Sequence, residues 1–422
     1  MMSSFAARLH SRLGDFWWYS LMMFAACRAA DLLNAFVGLW LVPKFIDPAE
    51  LGAVLPLTSF ATSLALPVYI FAMTFMKEVN SLATRREFGQ MKTFMRGVFA
   101  WCGVFLVLAV VLTRLTLPLF LEKMRVAEGS LGLVIIASAF VGCVAPVYSN
   151  ALQALKRFRT LSVLGVFGAP VRLVTMLVAM PYRALTGYFV GQAASPAFSI
   201  VASLFCLRRE LSVPAAPYWS RKVLKRLGRL FLGIAAYQFA AMITGLVEQT
   251  VLRDRLPALD SAAYYMVTRF SDIANFLSTT LLVTLFPYTA ELAERGESTR
   301  PLVLKSSLAM IAFAGALAAF FALFGRQLLG LLPHGAEYAP YYWAIPWMIG
   351  VSALMSLQNF HTNTEVSAGR FGFLRWWVPF NVAYPIILAY LPIGSLPALL
   401  GCFTLAALLK LAFCAFDLTR QR

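Results

Sequence analysis

The sequence of 422 residues is short of acid: 19 Asp and Glu stand against 36 Lys and Arg, and only 13% of residues are charged. Histidine is scarcer still, with His10, His334 and His361 far apart. The six cysteines (Cys27, Cys102, Cys143, Cys206, Cys402 and Cys414) lie in apolar stretches without metal-ligand spacing. That pattern excludes a zinc site and reads as packed free thiols. No G-x-x-x-x-G-K-[ST] loop is present, which excludes nucleotide hydrolysis through a P-loop, and neither G-x-S-x-G nor H-E-x-x-H occurs. No pair of carboxylates stands in a long extramembrane loop, where a sugar-transferring enzyme would display them. No cofactor and no enzymatic chemistry are therefore expected. Long polar segments are missing too. The longest break between apolar runs, 207–228 ("LRRELSVPAAPYWSRKVLKRLG"), is too short for a soluble domain.

What fills the chain is hydrocarbon. Sixty per cent of residues are hydrophobic and the mean hydropathy is +0.74, more apolar surface than a soluble protein hides. Apolar runs fall at about 19–43, 52–76, 96–120, 131–154, 161–181, 185–206, 229–252, 262–287, 303–325, 338–364, 374–392 and 395–416. Each is long enough to cross a hydrocarbon core of about 30 Å as a helix. They are continuous rather than alternating, which excludes a barrel. The reading is all-α: a polytopic membrane protein of about twelve transmembrane helices.

A net charge of +17 suggests nucleic acid until its distribution is followed. Lys77, Arg85, Arg86, Lys92 and Arg96 crowd the loop between spans two and three. Lys156, Arg157 and Arg159 fill the loop between four and five, and seven Lys and Arg lie between Arg208 and Arg229. On the opposite side, the loop between spans one and two has one Lys against two acids, and the loop between spans eleven and twelve has no charge. This is the bias of cytoplasmic loops, so both termini are expected in the cytoplasm and the positive charge is expected to meet anionic lipid headgroups. Nucleic acid is not an expected partner.

The chain also looks duplicated. "DPAELGAVLPLTSF" (Asp47–Phe60) aligns with "PALDSAAYYMVTRF" (Pro257–Phe270) at an offset of 210, matching Glu50 with Asp260, Thr58 with Thr268 and Phe60 with Phe270. A six-plus-six plan follows, with an N-terminal lobe 1–206, a basic cytoplasmic linker 207–228 and a C-terminal lobe 229–422. Each half then enters the membrane in the same direction, as parallel repeats do.

Against this background the buried charges stand out, because an ionisable group at a helix centre costs roughly 2.5–3.5 kcal/mol on insertion scales. "FAACRAADLLNAFVGLWLVP" (Phe24–Pro43) holds Arg28 and Asp31, three apart and on adjacent positions of one face. Either they neutralise each other near the headgroups, or Arg28 offers a cationic site to a cavity. Span eight repeats the device with Arg269 and Asp272. There Thr268, Asp272, Asn275 and Thr279 fall within about 60° of arc. Arg172 lies in mid-span five, and Glu248 in "ITGLVEQTVL" is either an ion carrier or a partner of an arginine, with Arg253 and Arg255 close behind.

"RAADLLNAFVGLWLVPKFIDPAELGAVLPLTSF" (Arg28–Phe60) resembles the opening of the O-antigen and polysaccharide flippases of the multidrug/oligosaccharidyl-lipid/polysaccharide (MOP) exporter superfamily. The resemblance rests there on Arg28, Pro43, Asp47, Glu50 and Gly52. "AAYYMVTRFSDIANFLSTTLLVTLFP" (Ala262–Pro287) is similar to the eighth span of that family, and "SAGRFGF" (Ser367–Phe373) to its turn after span ten. The resemblance implies a MATE-like fold of two six-helix lobes around a central cavity. It also implies transport of a lipid-diphosphate-linked saccharide across the bacterial cytoplasmic membrane by alternating access. Membrane lipids and polysaccharide-assembly proteins would be partners. Under it Arg28, Arg172, Arg269, Asn34 and Asn275 become candidate substrate contacts. Asp31, Glu248 and Asp272 become candidate binders of H+ or Na+, or charge partners. A multidrug or cation antiporter of the same superfamily is the nearest alternative, and a membrane polysaccharide polymerase or ligase is a more distant one.

The charge bias generates a direct test. In a background without native cysteines, Ser212→Cys is expected to react with a membrane-impermeant maleimide from the cytoplasmic face only. Labelling of intact cells from outside would reverse the topology.

Overall fold

The computed structural model describes residues 28–124, 126, 131–155, 157–294, 300–367 and 371–420. Trp17, Trp18 and Tyr19, along with Cys27 and the middle of the "SAGRFGF" turn, lie outside them. So do the side chains of Gln153, Thr279 and Asn363. Among the described residues all regular structure is helical. Helix α1 occupies 28–45 and includes a π-helical turn at Val37–Leu41. It is followed by α2 (Val54–Thr84), α3 (Phe88–Met124), α4 (Leu131–Ala154), α5 (Phe158–Ala179) and α6 (Ala184–Leu211). The second half holds α7 (Arg221–Arg255), α8 (Ala258–Glu294), α9 (Arg300–Gly330), α10 (Ala344–Ser367), α11 (Leu374–Tyr390) and α12 (Leu396–Arg420).

Eight stretches among the described residues, from Pro48–Pro67 to Leu396–Phe416, are apolar and long enough to cross a membrane by length and composition. The runs in α1, α8, α10 and α11 are not among them. Helix α1 is described only from residue 28, α11 has 17 residues, and α8 and α10 carry polar groups along their length. The chain is a polytopic α-helical membrane protein. Its outer surface is what lipid requires: Val104, Val107, Leu108, Val111, Leu115 and Leu119 of α3 form an exposed stripe at helical spacing. Each of α2 to α6 contains an internal proline (Pro67, Pro118, Pro146, Pro170 and Pro196). Each such proline removes one backbone donor from the helix, which bends it or frees a carbonyl.

The chain divides into two compact units. One comprises the described parts of Met1–Asn34, Leu64–Pro118 and Glu128–Ala235, and the other those of Ala35–Ser63, Leu119–Ala127 and Ala236–Arg422. In the first, α6 packs on α4 and α5. A core forms around Phe75, Phe94, Val98, Val147, Leu152 and Leu207, with Phe75 and Phe94 stacked at 5.2 Å. The basic segment after α6 is strapped down here. Thr93 Oγ1 donates to Ala216 O at 2.7 Å, Ala216 N donates to Gly89 O at 3.1 Å, and Lys92 Nζ donates to Val213 O at 2.9 Å. The Trp219 ring lies over Gly97, where a side chain would collide with it. Ser220 Oγ then caps α7 by accepting from Val223 N at 3.3 Å. Arg157 ties the start of α5 to the end of α6 through Glu210 and the Cys206 carbonyl.

In the second unit α10 is central, packed against α8, α9 and α12. Tyr265, Phe360, Phe373, Trp377 and Phe403 are fully buried. A polar joint ties α7 to α11: Thr244 Oγ1 lies within hydrogen-bond distance of Asn381 O and Oδ1, and Asn381 Nδ2 donates to Trp377 O at 2.8 Å. The segment Ala35–Ser63 joins this unit through the short helical turn Pro48–Leu51, which packs on α8. Arg253, buried at the end of α7, donates to Ala49 O at 2.7 Å and to Met124 O, at the end of α3, at 3.3 Å. The residues matched at the offset of 210 make parallel contacts. Thr58 and Thr268 each donate to the carbonyl four residues earlier. Phe60 stacks on Phe120 of α3 at 4.7 Å, while Phe270 meets Phe321 of α9 at 5.1 Å.

Gly52 is a point of close approach in this packing. A Cβ there would lie 2.5 Å from Ser261 Cβ and 3.0 Å from Arg253 Nη1. Gly52→Val is expected to lower the unfolding midpoint of the detergent-purified protein, by a cost of about 1–3 kcal/mol for overpacking. An unchanged midpoint would mean the close approach is absent.

Candidate functional site

In the first unit, α1 and α5 bring two guanidinium groups into the apolar layer. Arg28 Nη2 pairs with Asp31 Oδ2 at 3.1 Å, with the side chains 20% and 29% exposed. The pair is thus neither sealed nor fully solvated. One turn further along α1, Asn34 Oδ1 accepts a hydrogen bond from Arg172 Nη1 at 3.1 Å. Arg172 follows Pro170 by two residues, at the point where the α5 backbone ladder is interrupted. Four candidates from the sequence, Arg28, Asp31, Asn34 and Arg172, therefore gather along one stretch of α1. Guanidinium groups held by an amide and by a carboxylate can exchange those partners for phosphate oxygens, which match the same forked donors.

The second unit holds the other device. Arg269 Nη1 pairs with Asp272 Oδ2 at 2.9 Å, with the side chains 29% and 39% exposed. Its guanidinium lies 5.1 Å from the centre of the Tyr265 ring, within cation–π range. The Tyr265 hydroxyl donates to Gly38 O at 3.2 Å. Gly38 sits in the π-helical turn of α1, and a Cβ there would lie 2.9 Å from Arg269 Cδ. Asn275 is turned to α10, where its Oδ1 accepts from Ser356 Oγ at 2.9 Å. Thr268 bonds its own helix backbone. The polar face of α8 thus divides between an ion pair at Arg269 and a helix-to-helix hydrogen bond at Asn275.

Glu248 does not meet the arginines that follow it. Arg253 is spent on Ala49 O and Met124 O, and Arg255 on Leu391 O and Ala389 O. Glu248 Oε1 on α7 and the Tyr384 hydroxyl on α11 are both buried without a hydrogen-bond partner. Lys410 is only 6% exposed. Its ammonium lies 5.3 Å from the ring centre of Phe380, 5.4 Å from that of Trp377 and 5.9 Å from that of Tyr384.

Sequence reasoning missed Lys410, Gly38 and Tyr265. Lys410 gave a signal of the kind that revealed Arg172: a lone cation in an apolar run, "AALLKLAFC". Gly38 and Tyr265 gave none, since their role depends on α1 meeting α8. His361 and Glu365, one turn apart on α10, are also buried.

No protein-family model matches the sequence, and no curated protein matches it. Solved structures do match over nearly the full length. An outward-facing multidrug resistance MATE family transporter of the MOP superfamily superposes with a TM-score of 0.68 at 14% identity, covering 100% of this chain and 98% of that one. A MOP superfamily transporter from Pyrococcus furiosus, described as having a binding pocket of reversed polarity, gives 0.66 at 15% identity with 99% of each chain covered. The lipid II flippase MurJ, in an inward closed conformation, gives 0.64 at 10% identity, covering 95% of this chain and 87% of that one. The chain has the fold of MOP superfamily transporters.

The contact between Asn34 and Arg172 can be measured by a double-mutant cycle on thermal stability. Asn34→Ala and Arg172→Ala are expected to be non-additive, with a coupling of about 1–3 kcal/mol for a hydrogen bond to a charged donor. Additive losses would mean the two side chains do not interact.

Proposed function

We propose that this chain translocates a lipid-diphosphate-linked oligosaccharide or polysaccharide precursor across the bacterial cytoplasmic membrane by alternating access, with both termini in the cytoplasm. The observation that carries the proposal is the repeated pair, Arg28 with Asp31 and Arg269 with Asp272, each part-exposed within the apolar layer. A diphosphate cannot cross hydrocarbon without its charge being met, and arginine stays ionised in poorly solvated surroundings. In this reading Arg28, Arg172 and Arg269 receive the anionic headgroup, and Asn34 and Asn275 add hydrogen bonds. Asp31 and Asp272 hold the arginines when cargo is absent and limit the tightness of binding. The solved MurJ structure supports the reading in that its fold serves a lipid-linked cargo. The division into lobes 1–206 and 229–422 joined by 207–228 belongs to the same proposal. So does coupling to H+ or Na+ through Asp31, Asp272 or Glu248.

Export of cationic drugs is the second reading. Its support is the multidrug resistance transporter with the same fold, together with acidic partners beside each arginine. Polysaccharide-assembly proteins are partners only under the first.

The discriminating experiment is translocation in proteoliposomes. A lipid-diphosphate oligosaccharide on one leaflet is followed by its access to a membrane-impermeant sugar-cleaving probe, with dye efflux measured in parallel. Protein-dependent exposure that falls at least tenfold in Arg28→Gln, with normal insertion, is the expected result. Dye efflux without lipid exposure would replace the flippase reading with the antiporter.

A further inference from the structure

The last turn of α7 gathers helix ends from the first half of the chain. Helix α7 is 35 residues long, about 52 Å at 1.5 Å per residue, so Arg253 lies at the opposite face of the layer from the basic segment that begins the helix. There Arg253 is 3% exposed and holds two carbonyls: Nη2 donates to Ala49 O at 2.7 Å and Nε to Met124 O at 3.3 Å. Both acceptors stand at helix ends, where backbone carbonyls lack an intrahelical partner. Next to Arg253 in the chain, Asp254 Oδ2 pairs with Lys123 Nζ of α3 at 3.3 Å, with both side chains part-exposed. Ser261, at the start of α8, is fully buried against Gly52, at a separation that leaves no room for a Cβ. Leu51, Ala53, Ala262 and Ala263, their neighbours in the chain, are buried as well. The compact unit that holds Ala236–Arg422 accordingly takes in Ala35–Ser63 and Leu119–Ala127. The guanidinium holds its acceptors only while these segments are together. Once they part, water meets both the donors and the carbonyls, so the contact can be undone at modest net cost.

We infer that Arg253 is the latch of a gate at the face opposite the basic loops. By binding Ala49 O and Met124 O it holds the turn at 48–52 and the end of α3 against the start of α8, and the ion pair of Lys123 with Asp254 adds to the closure. Opening exchanges these bonds for water and lifts Gly52 off Ser261. A two-state element held by a few polar contacts can be closed at rest and opened by a ligand that binds the open form better. Gly52 serves the closed form, because a side chain there would wedge the turn away from Ser261. The inference rests on the transporter reading above for what the gate admits. Its test needs no cargo, so the two can fail separately.

The test is the rate at which a single reporter thiol reacts with a maleimide in the purified full-length protein lacking its native cysteines. The reporter is Ser261→Cys, and the control is Ser203→Cys, equally buried in the other compact unit. With Arg253 intact, Ser261→Cys is expected to react far more slowly than the exposed Ser212→Cys. Arg253→Gln, which removes the charge-assisted bonds, is expected to speed Ser261→Cys about tenfold or more and to leave Ser203→Cys unchanged. Lys123→Gln, which breaks only the part-exposed pair, is expected to speed it about twofold. A Ser261→Cys thiol that reacts as fast as Ser212→Cys with Arg253 intact would overturn the inference. So would a folded Arg253→Gln variant with an unchanged rate, or one in which both buried thiols speed up together, the mark of a merely structural role. Should Arg253→Gln not fold, Lys123→Gln decides the matter: a faster Ser261→Cys beside an unchanged Ser203→Cys upholds the inference, and any other pattern overturns it.

Discussion

A charge placed in hydrocarbon must be answered within a few ångströms, and the polar architecture of this protein follows from that constraint. Arg28 is answered by Asp31 and Arg269 by Asp272, each at the i,i+3 spacing that a single helix provides. Arg172 is met by Asn34 from another helix. Arg253 and Arg255 turn to backbone carbonyls at or near helix ends, where the free acceptors and the helix dipole favour a cation. Lys410 is met by three aromatic rings of α11.

These answers differ in how readily they can be withdrawn. The pairs on α1 and α8 are part-exposed, so an incoming anion can compete for the arginine at little desolvation cost. A guanidinium can bind carboxylate and phosphate with the same forked geometry. Lys410 is enclosed and cannot change partners without leaving its cage. The same physical need thus gives two kinds of answer: arginines paired at part-exposed positions, and a lysine buried among aromatic rings.

Much of the helical plan was legible because apolar runs of this length admit few alternatives. The i,i+3 ion pairs were legible for the same reason: partners on one helix are set by periodicity alone. Partners on different helices were not. One of the two readings of Glu248 paired it with Arg253 or Arg255, its sequence neighbours, but both arginines turn to backbone carbonyls of other segments. Gly38 read as an ordinary apolar position, yet it lies where Arg269 and Tyr265 approach α1. The segment 207–228 was recognised by its charge, but its anchoring on α3 depends on Thr93, Gly89 and Gly97, which carry no signal of their own.

The central claim is that the part-exposed arginines exist to receive an anionic diphosphate. It is tested most directly by equilibrium binding of a short-chain, water-soluble lipid-diphosphate saccharide to the purified protein, compared with the same molecule lacking its phosphates and with a cationic dye. Binding that requires the diphosphate, and that weakens about tenfold (roughly 1.4 kcal/mol) in Arg28→Gln and in Arg269→Gln, is the predicted result. Equal binding by wild type and both variants, or tight binding of the dye alone, would contradict it.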